Sequence, residues 1–278
     1  MYNLCILTSH FYPVKSSCSS LFRDLIKSLL NENFKITVIS ISGTKKKIRS
    51  INTNKLTYIS IKNSHLKSEN NYLRAIGEIL AIFKLRSFYR KKDFPNFDQV
   101  IVYSPSIFWS ILLLKLKKKL VTIKLGDLYP KWLADHNIIN KFSPNYFFLK
   151  FFEMLLYSQA DNIYVQTKKD IQYLNTYKKI LNFNVGVIYN WINTKSLIEK
   201  KSLLDEKNNK KKRKYIRFIF LGVIGVAQDH KLLNRMIQFC NEQKFQSSFF
   251  FIGSGTEKDK LIKLTNKFNN VFFYPEMD

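Results

Sequence analysis

Two doubly wound α/β domains, the second incomplete, are what this sequence predicts, and three observations predict them. Short apolar runs alternate with stretches of helical period along nearly the whole chain. A charged stretch from Glu199 to Lys214 separates a longer first part from a shorter second one. In the second part, two apolar runs, Phe218–Leu221 and Phe249–Ile252, lead straight into glycine-bearing turns at Gly222–Gly225 and Gly253–Gly255. A buried strand that ends in glycines ahead of a helix offers backbone N–H groups and a helix N-terminus to a phosphate. The boundaries read from these signals are 1–195, a linker over 196–214, and 215–278.

Leu4–Thr8 is apolar at successive positions, which suits a parallel strand buried on both faces. A loop from His10 to Ser20 then precedes a helix whose apolar stripe is Leu21, Phe22, Leu25, Ile26, Leu29 and Leu30. Lys35–Ile39 closes a first βαβ unit, which is right-handed by rule. The pattern predicts further strands at Leu56–Ile61, Gln99–Tyr103, Leu120–Lys124, Asn162–Val165 and Val185–Ile188. Helices are predicted over Tyr72–Arg90, Ile107–Lys118, Pro144–Gln159 and Lys169–Leu174. Beyond the linker the order is strand Ile216–Leu221, helix His230–Asn241, strand Ser248–Ile252, helix Glu257–Phe268 and strand Val271–Phe273.

At 278 residues and 46% hydrophobic content the chain can build two ordinary cores, which excludes a disordered class. Its net charge of +26, mostly lysine, has two readings: AT-rich codon bias, or attraction to an anionic partner. An anionic membrane surface is the favoured partner, because each nearby Lys or Arg gains about 1 kcal/mol there. Nucleic acid is disfavoured, since neither Arg forks nor a recognisable module is present. Cys5, Cys18 and Cys240 are odd in number and lack metal-ligand spacing, so no metal is expected and a reducing compartment is. The longest apolar run, Ile107–Leu114, is too short for a bilayer span, and no leader pattern opens the chain. The expectation is a cytoplasmic protein, peripheral at the inner face of the cell membrane.

Five segments carry a resemblance. In order they are Ile6–Pro13, Gly126-Asp127-Leu128-Tyr129-Pro130, Val187–Asn193, Phe220–Gly225 and Phe250–Glu257. Together they resemble the GT-B glycosyltransferases of the retaining group 1 (GT4) class, in the branch that acts in O-antigen and capsule synthesis. The resemblance implies two Rossmann-like doubly wound domains. It also implies transfer of a sugar, with retention, from a nucleotide-sugar donor to a lipid-linked glycan acceptor, without a cofactor. The diphosphate belongs at Gly222 and Gly225, with Gly253 and Gly255 in the neighbouring turn and Lys231 as the candidate cation. Asp127 and His136 are the candidate catalytic residues, His10 is a further one, and Asn190 is a donor-side contact near the hinge. Where the family often has paired glycines in the N-terminal loop, this chain has Ser16 and Ser17, with Arg23 as a candidate contact to an anionic group. Each of these residues also has a plain structural reading: a tight turn, a helix cap, a surface lysine or a core histidine.

Phe147–Phe152 with Met154, Leu155, Leu156 and Tyr157, and the lysines at 115, 117, 118 and 119, are candidate membrane contacts. The family's Glu-x7-Glu donor motif follows the strand that Val271–Phe273 matches. The sequence does not carry it, so a truncated, poorly stable second domain of doubtful activity is expected. The rival expectations are an inactive remnant or regulatory partner of such an enzyme, and a basic membrane or nucleic-acid adaptor.

Overall fold

The computed structural model describes residues 1–9, 11, 16–42, 48–62, 71–89, 95–104, 106–116, 118–192, 194, 215–226 and 228–276. The linker at 196–214, His10, Lys117 and Asn193 lie outside the described residues. The chain divides into two compact units, Met1–Lys195 and Ser196–Asp278.

The first unit contains β1 (Tyr2–Thr8), α1 (Ser17–Leu30), β2 (Phe34–Ser42), β3 (Ile48–Asn52), β4 (Leu56–Lys62), α2 (Asn71–Tyr89) and β5 (Phe97–Ser104). It continues with α3 (Trp109–Leu113), β6 (Lys118–Leu125), α4 (Lys131–Asp135), α5 (Pro144–Tyr157), β7 (Asn162–Val165), α6 (Lys168–Lys178) and β8 (Asn184–Val187). The sheet order is β3-β4-β2-β1-β5-β6-β7-β8. Every pairing is parallel except that of β3 with β4. Alternate residues of β1 feed two cores. Leu4 and Ile6 join Phe22 and Ile26 of α1 on one face. Cys5 and Leu7 join α2, α3 and α5 on the other. That two-sided burial is why the strand reads as an unbroken apolar run.

Three expectations are corrected. Helix α1 begins at Ser17 rather than after Ser20, because the Ser16 hydroxyl accepts the Ser19 N–H at 3.1 Å and caps it. The helix predicted over Ile107–Lys118 shrinks to α3, all five of whose residues are buried. Lys118 and Lys119 belong instead to β6, where Lys119 meets Asp98 at 2.8 Å across the β5–β6 pair. Strand β3 and helix α4 were not expected at all. The other predicted elements form, Asn162–Val165 and Ile216–Leu221 with the expected bounds and the rest with shifted ends.

Among the described residues, one charged side chain, that of Glu153, is completely buried. Glu153 of α5 is wholly buried and is bound by Lys150 at 2.7 Å, by Tyr157 at 3.1 Å, by Tyr173 at 2.8 Å and by Tyr177. Burial, with the Glu153 charge adding to it, raises the pKa of all three tyrosines, so they stay protonated and donate. No helix among the described residues is long and apolar enough to cross a membrane.

The second unit contains β9 (Ile216–Leu221), α7 (His230–Glu242), β10 (Ser247–Ile252), α8 (Lys258–Thr265) and β11 (Val271–Tyr274). Its strands are all parallel, in the order β11-β10-β9. The register places Phe218 beside Phe249 with rings 4.8 Å apart, and Phe251 beside Phe273 at 5.1 Å. With Ile224, Ile237, Cys240 and Leu261 these rings build the unit's core on one face. On the other face Ile219, Leu221, Phe272 and Tyr274 are exposed, Leu221 at 75%.

Glu153→Ala leaves Lys150 without its carboxylate and should destabilise the first unit by about 3 kcal/mol. All three tryptophans lie in that unit, so denaturant unfolding followed by tryptophan fluorescence reads the loss. A midpoint unchanged from the parent protein would show that the cluster contributes nothing net.

Candidate functional site

In the first unit, β6 ends at Leu125 and the chain turns through Gly126 and Asp127. A Cβ on Gly126 would stand 2.6 Å from the Tyr103 hydroxyl and 3.0 Å from the Ser104 carbonyl oxygen, so only glycine fits. Asp127 opens into a cleft of about 240 Å³, also lined by Leu128, Lys131, Trp132, Asp135 and Asp170. The cleft walls desolvate its carboxyl and raise its pKa, and no hydrogen bond from the described residues offsets that. Asp135 differs: its hydrogen bond to Lys131, with Lys141 nearby, holds its pKa below the ordinary carboxylate value. Two of the cleft's carboxylates are therefore shifted in opposite directions, Asp127 upward by burial and Asp135 downward by its lysines.

His136 is not in the cleft wall. Its ring stacks on Trp132 at 4.4 Å, and Nδ1 donates to the Trp132 carbonyl at 2.9 Å, which leaves Nε2 as the free nitrogen. Asn190 is tied to the cleft by a relay: its amide donates to Gln166 Oε1 at 3.4 Å, and Gln166 Nε2 donates to the Gly126 carbonyl at 3.0 Å. Next to it, Trp191 donates to the Leu21 carbonyl at 2.9 Å. Lys124 is 4% exposed, donates to the Ile188 carbonyl at 3.0 Å, and lies 5.9 Å from the Trp191 ring. Desolvation lowers its pKa, with the Cys18 thiol opposing that shift. Ser16 and Ser17 sit at the start of α1, and Arg23 is exposed and donates to the Ser20 hydroxyl at 2.9 Å.

In the second unit the two glycine turns are stitched to each other. The Gly222 N–H donates to the Ile252 carbonyl at 3.0 Å, and the Ile224 N–H donates to the Ser254 carbonyl at 2.9 Å. Gly253 and Gly255 have φ of +149° and +153°. A Cβ at either would lie 1.9 Å from the Gly222 oxygen or 2.1 Å from the Ile224 oxygen, so their own packing demands glycine. Gly225 is different. A Cβ there meets only ordinary contacts at 3.6 Å, and its N–H is held by the Gln228 side chain at 2.7 Å. A Cβ on Gly222 would meet nothing within 4 Å, but its φ of +141° favours glycine, so Gly225 is the glycine of these turns that neither packing nor backbone conformation explains. Asp229 caps α7 just beyond, accepting the Leu232 N–H at 2.9 Å, and Lys231 is exposed on the first turn.

With this geometry in hand, the comparisons with known proteins are informative about the fold. No protein-family model and no curated protein sequence matches the chain. Solved structures do. A sucrose-phosphate synthase from Thermosynechococcus elongatus superposes with a TM-score of 0.63 at 10% identity, over 100% of this chain and 71% of that one. Trehalose-6-phosphate from E. coli, bound with UDP-2-fluoro glucose, gives 0.63 at 11%, over 99% and 74%. WaaG, a glycosyltransferase involved in lipopolysaccharide biosynthesis, gives 0.57 at 14%, over 99% and 70%. The chain has the GT-B fold.

Several residues at the GT-B strand ends escaped sequence reasoning. Gln166, the middle of the relay, follows β7 and carries no motif. Lys258 is the cation at the second glycine turn, donating to the Gly253 carbonyl at 2.9 Å and the Tyr274 carbonyl at 3.0 Å. Both ring nitrogens of His230 are buried with no partner among the described residues, one residue past the Asp229 cap. For Lys124 a signal existed: a lysine closing an otherwise apolar strand. Among the described residues no group of His, Cys, Asp and Glu is gathered that could hold a metal ion.

Gly225→Ala should leave the melting temperature within about 1 °C of the parent protein, because its Cβ has room. Gly253→Ala should lower the melting temperature of the second unit by several degrees, since strain of about 1–3 kcal/mol is added. Differential scanning calorimetry on the two variants checks the contrast.

Proposed function

We propose that this protein is a glycosyltransferase that moves a sugar, with retention, from a nucleotide-sugar donor to a lipid-linked glycan acceptor in surface-polysaccharide synthesis. Its place of action is the cytoplasmic membrane surface, reached by the exposed aromatics of α5 and the basic charge of the chain. The observation that carries the reading is Gly225: a glycine at a strand end, ahead of a capped helix, that its own packing does not require. The fold supports it, since neighbours of the same fold were solved with UDP-2-fluoro glucose or with ADP and acarbose. A further neighbour was studied for glycosyl transfer with retention.

The chemistry follows from charge. When the glycosidic bond to the nucleotide breaks, negative charge grows on the leaving diphosphate. The N-terminus of α7 and the turn amides oppose that charge, and Gln228 yields the Gly225 N–H to a phosphate oxygen. Asp127, with its raised pKa, orients a sugar or acceptor hydroxyl at the cleft. Asn190 steadies that turn through Gln166. His136 keeps Nε2 available beside Trp132.

Thermal melting with UDP-, GDP- and ADP-sugars tests the donor site. One nucleotide class should stabilise the second unit, and Gly225→Val should abolish the shift. No shift with any of them in a folded sample contradicts the reading. Asp127→Asn should lower transfer by roughly 100-fold. It should also raise stability at neutral pH. The folded-state pKa of Asp127 lies above its unfolded value, so the folded protein loses stability as pH rises through that window. The variant therefore melts higher than the parent at pH 7, and the difference closes below the carboxylate range.

A further inference from the structure

A second hollow of the first unit adjoins the Asp127 cleft and has no part in the transfer chemistry above. It measures about 760 Å³ and is lined by Ala134, Asp135, Asn137, Asn140, Lys141 and Phe142. Asp135 lines both hollows, so the cleft and this basin run together across its carboxylate. Phe142 is 85% exposed, an aromatic ring left in solvent. Its N–H donates to Asn140 Oδ1 at 2.8 Å, and the Ser143 hydroxyl, which caps α5, donates to the Asn140 carbonyl at 2.7 Å. The basin loop is therefore tied to a capped helix, and the Asn140 side chain, its oxygen engaged, has its N–H groups to offer.

The two hollows run against the charge of the molecule. Three carboxylates, Asp127, Asp135 and Asp170, face two lysines, Lys131 and Lys141, on a chain whose net charge is +26. Both lysines are already bound to Asp135, Lys141 at 3.5 Å. Asp170 is held in the capping box of α6, where it accepts the Thr167 N–H and hydroxyl. An anionic ligand would meet carboxylates and find no free cation among the lining residues. Ionised carboxylates only accept hydrogen bonds, so they suit a ligand rich in hydroxyl donors. The rings of Trp132 in the cleft and Phe142 in the basin suit the apolar C–H face of a pyranose. An occupant with hydroxyl edges, C–H faces and no negative charge is a neutral sugar.

We infer that cleft and basin together seat two consecutive sugars of the acceptor glycan, and that both sugars are uncharged. This rests on the glycosyltransferase reading above and adds the chemical class that the acceptor site selects. Sugar phosphates and uronic acids are turned away at the cleft by its carboxylates. The sugar that receives the new unit lies in the cleft with a hydroxyl toward Asp127. Its neighbour packs on Phe142 and bonds to Asn137 and Asn140.

The full chain is titrated with methyl glucoside, methyl galactoside and methyl mannoside, each beside its 6-phosphate and its uronate, and with methyl maltoside, methyl lactoside and methyl mannobioside. Binding is read by saturation-transfer NMR and by tryptophan fluorescence, since Trp132 is in the cleft wall. At least one neutral glycoside should bind, its charged counterparts should bind about tenfold more weakly, and added salt should narrow that gap. Asp135→Asn releases Lys131 and Lys141 at an exposed position, so the same 6-phosphate and uronate should then bind at least as well as the neutral glycoside. A disaccharide should bind more tightly than its monosaccharide, and Phe142→Ala should remove that advantage. The melting temperature of each variant confirms that it is folded. The inference is overturned if no neutral glycoside binds, if the parent protein binds the anionic sugars equally or better, or if Asp135→Asn keeps the parental discrimination. A disaccharide advantage that survives Phe142→Ala overturns the second sugar's place in the basin. Nucleotide binding is read separately by thermal shift: a chain that binds neutral glycosides but no nucleotide loses the donor site alone, and the reverse result loses this inference alone.

Discussion

Parallel pairing brings the carboxyl ends of all its strands to one edge of a sheet, and Asp127 in the first unit and the glycine turns in the second sit at such an edge. At that edge neighbouring strands must stop and turn side by side, with their backbones in close approach. In the second unit the approach is so close that a Cβ on Gly253 would overlap the Gly222 carbonyl oxygen at 1.9 Å. In the first unit the same pressure makes Gly126 necessary beside Tyr103 and Ser104. The glycines therefore serve the lateral packing first, and the amides and side chains beyond them are placed by it.

That distinction separates residues that look alike in sequence. Gly222, Gly253 and Gly255 are held in conformations that other residues avoid, with φ between +141° and +153°. Gly225 is not. The same holds for the carboxylates around α4: Asp135 is neutralised by two lysines, whereas Asp127 carries a desolvated carboxyl into the cleft. Geometry rather than motif picks out Gly225 and Asp127 as the groups with chemistry to spare.

Strand β1, buried on both faces from Leu4 to Thr8, was legible because such burial leaves a continuous apolar run, and β7 was legible through its buried Ile163 and Val165. The second unit was legible almost residue for residue, since its aromatic strands and capped helices alternate without interruption. The run Ile107–Lys118 misled because apolar residues on every side are compatible with a helix or a strand, and burial from all directions removed the period. Helix α4 is a single turn whose two sides face different surfaces, too short for any period to show. Of the candidate site, Asp127, Asn190 and the glycine turns announced themselves through glycine, asparagine and proline. Gln166 and Lys258 did not, because their roles depend on carbonyls brought near by the fold.

The most direct test of the account is amide hydrogen exchange across the second unit with and without the nucleotide diphosphate that thermal melting selects. Slowed exchange is expected, confined to the Gly222–Val226 turn, the first turn of α7 and the Ser254–Glu257 turn. Protection spread elsewhere, or unchanged exchange at the Gly225 amide under saturating nucleotide, would contradict it.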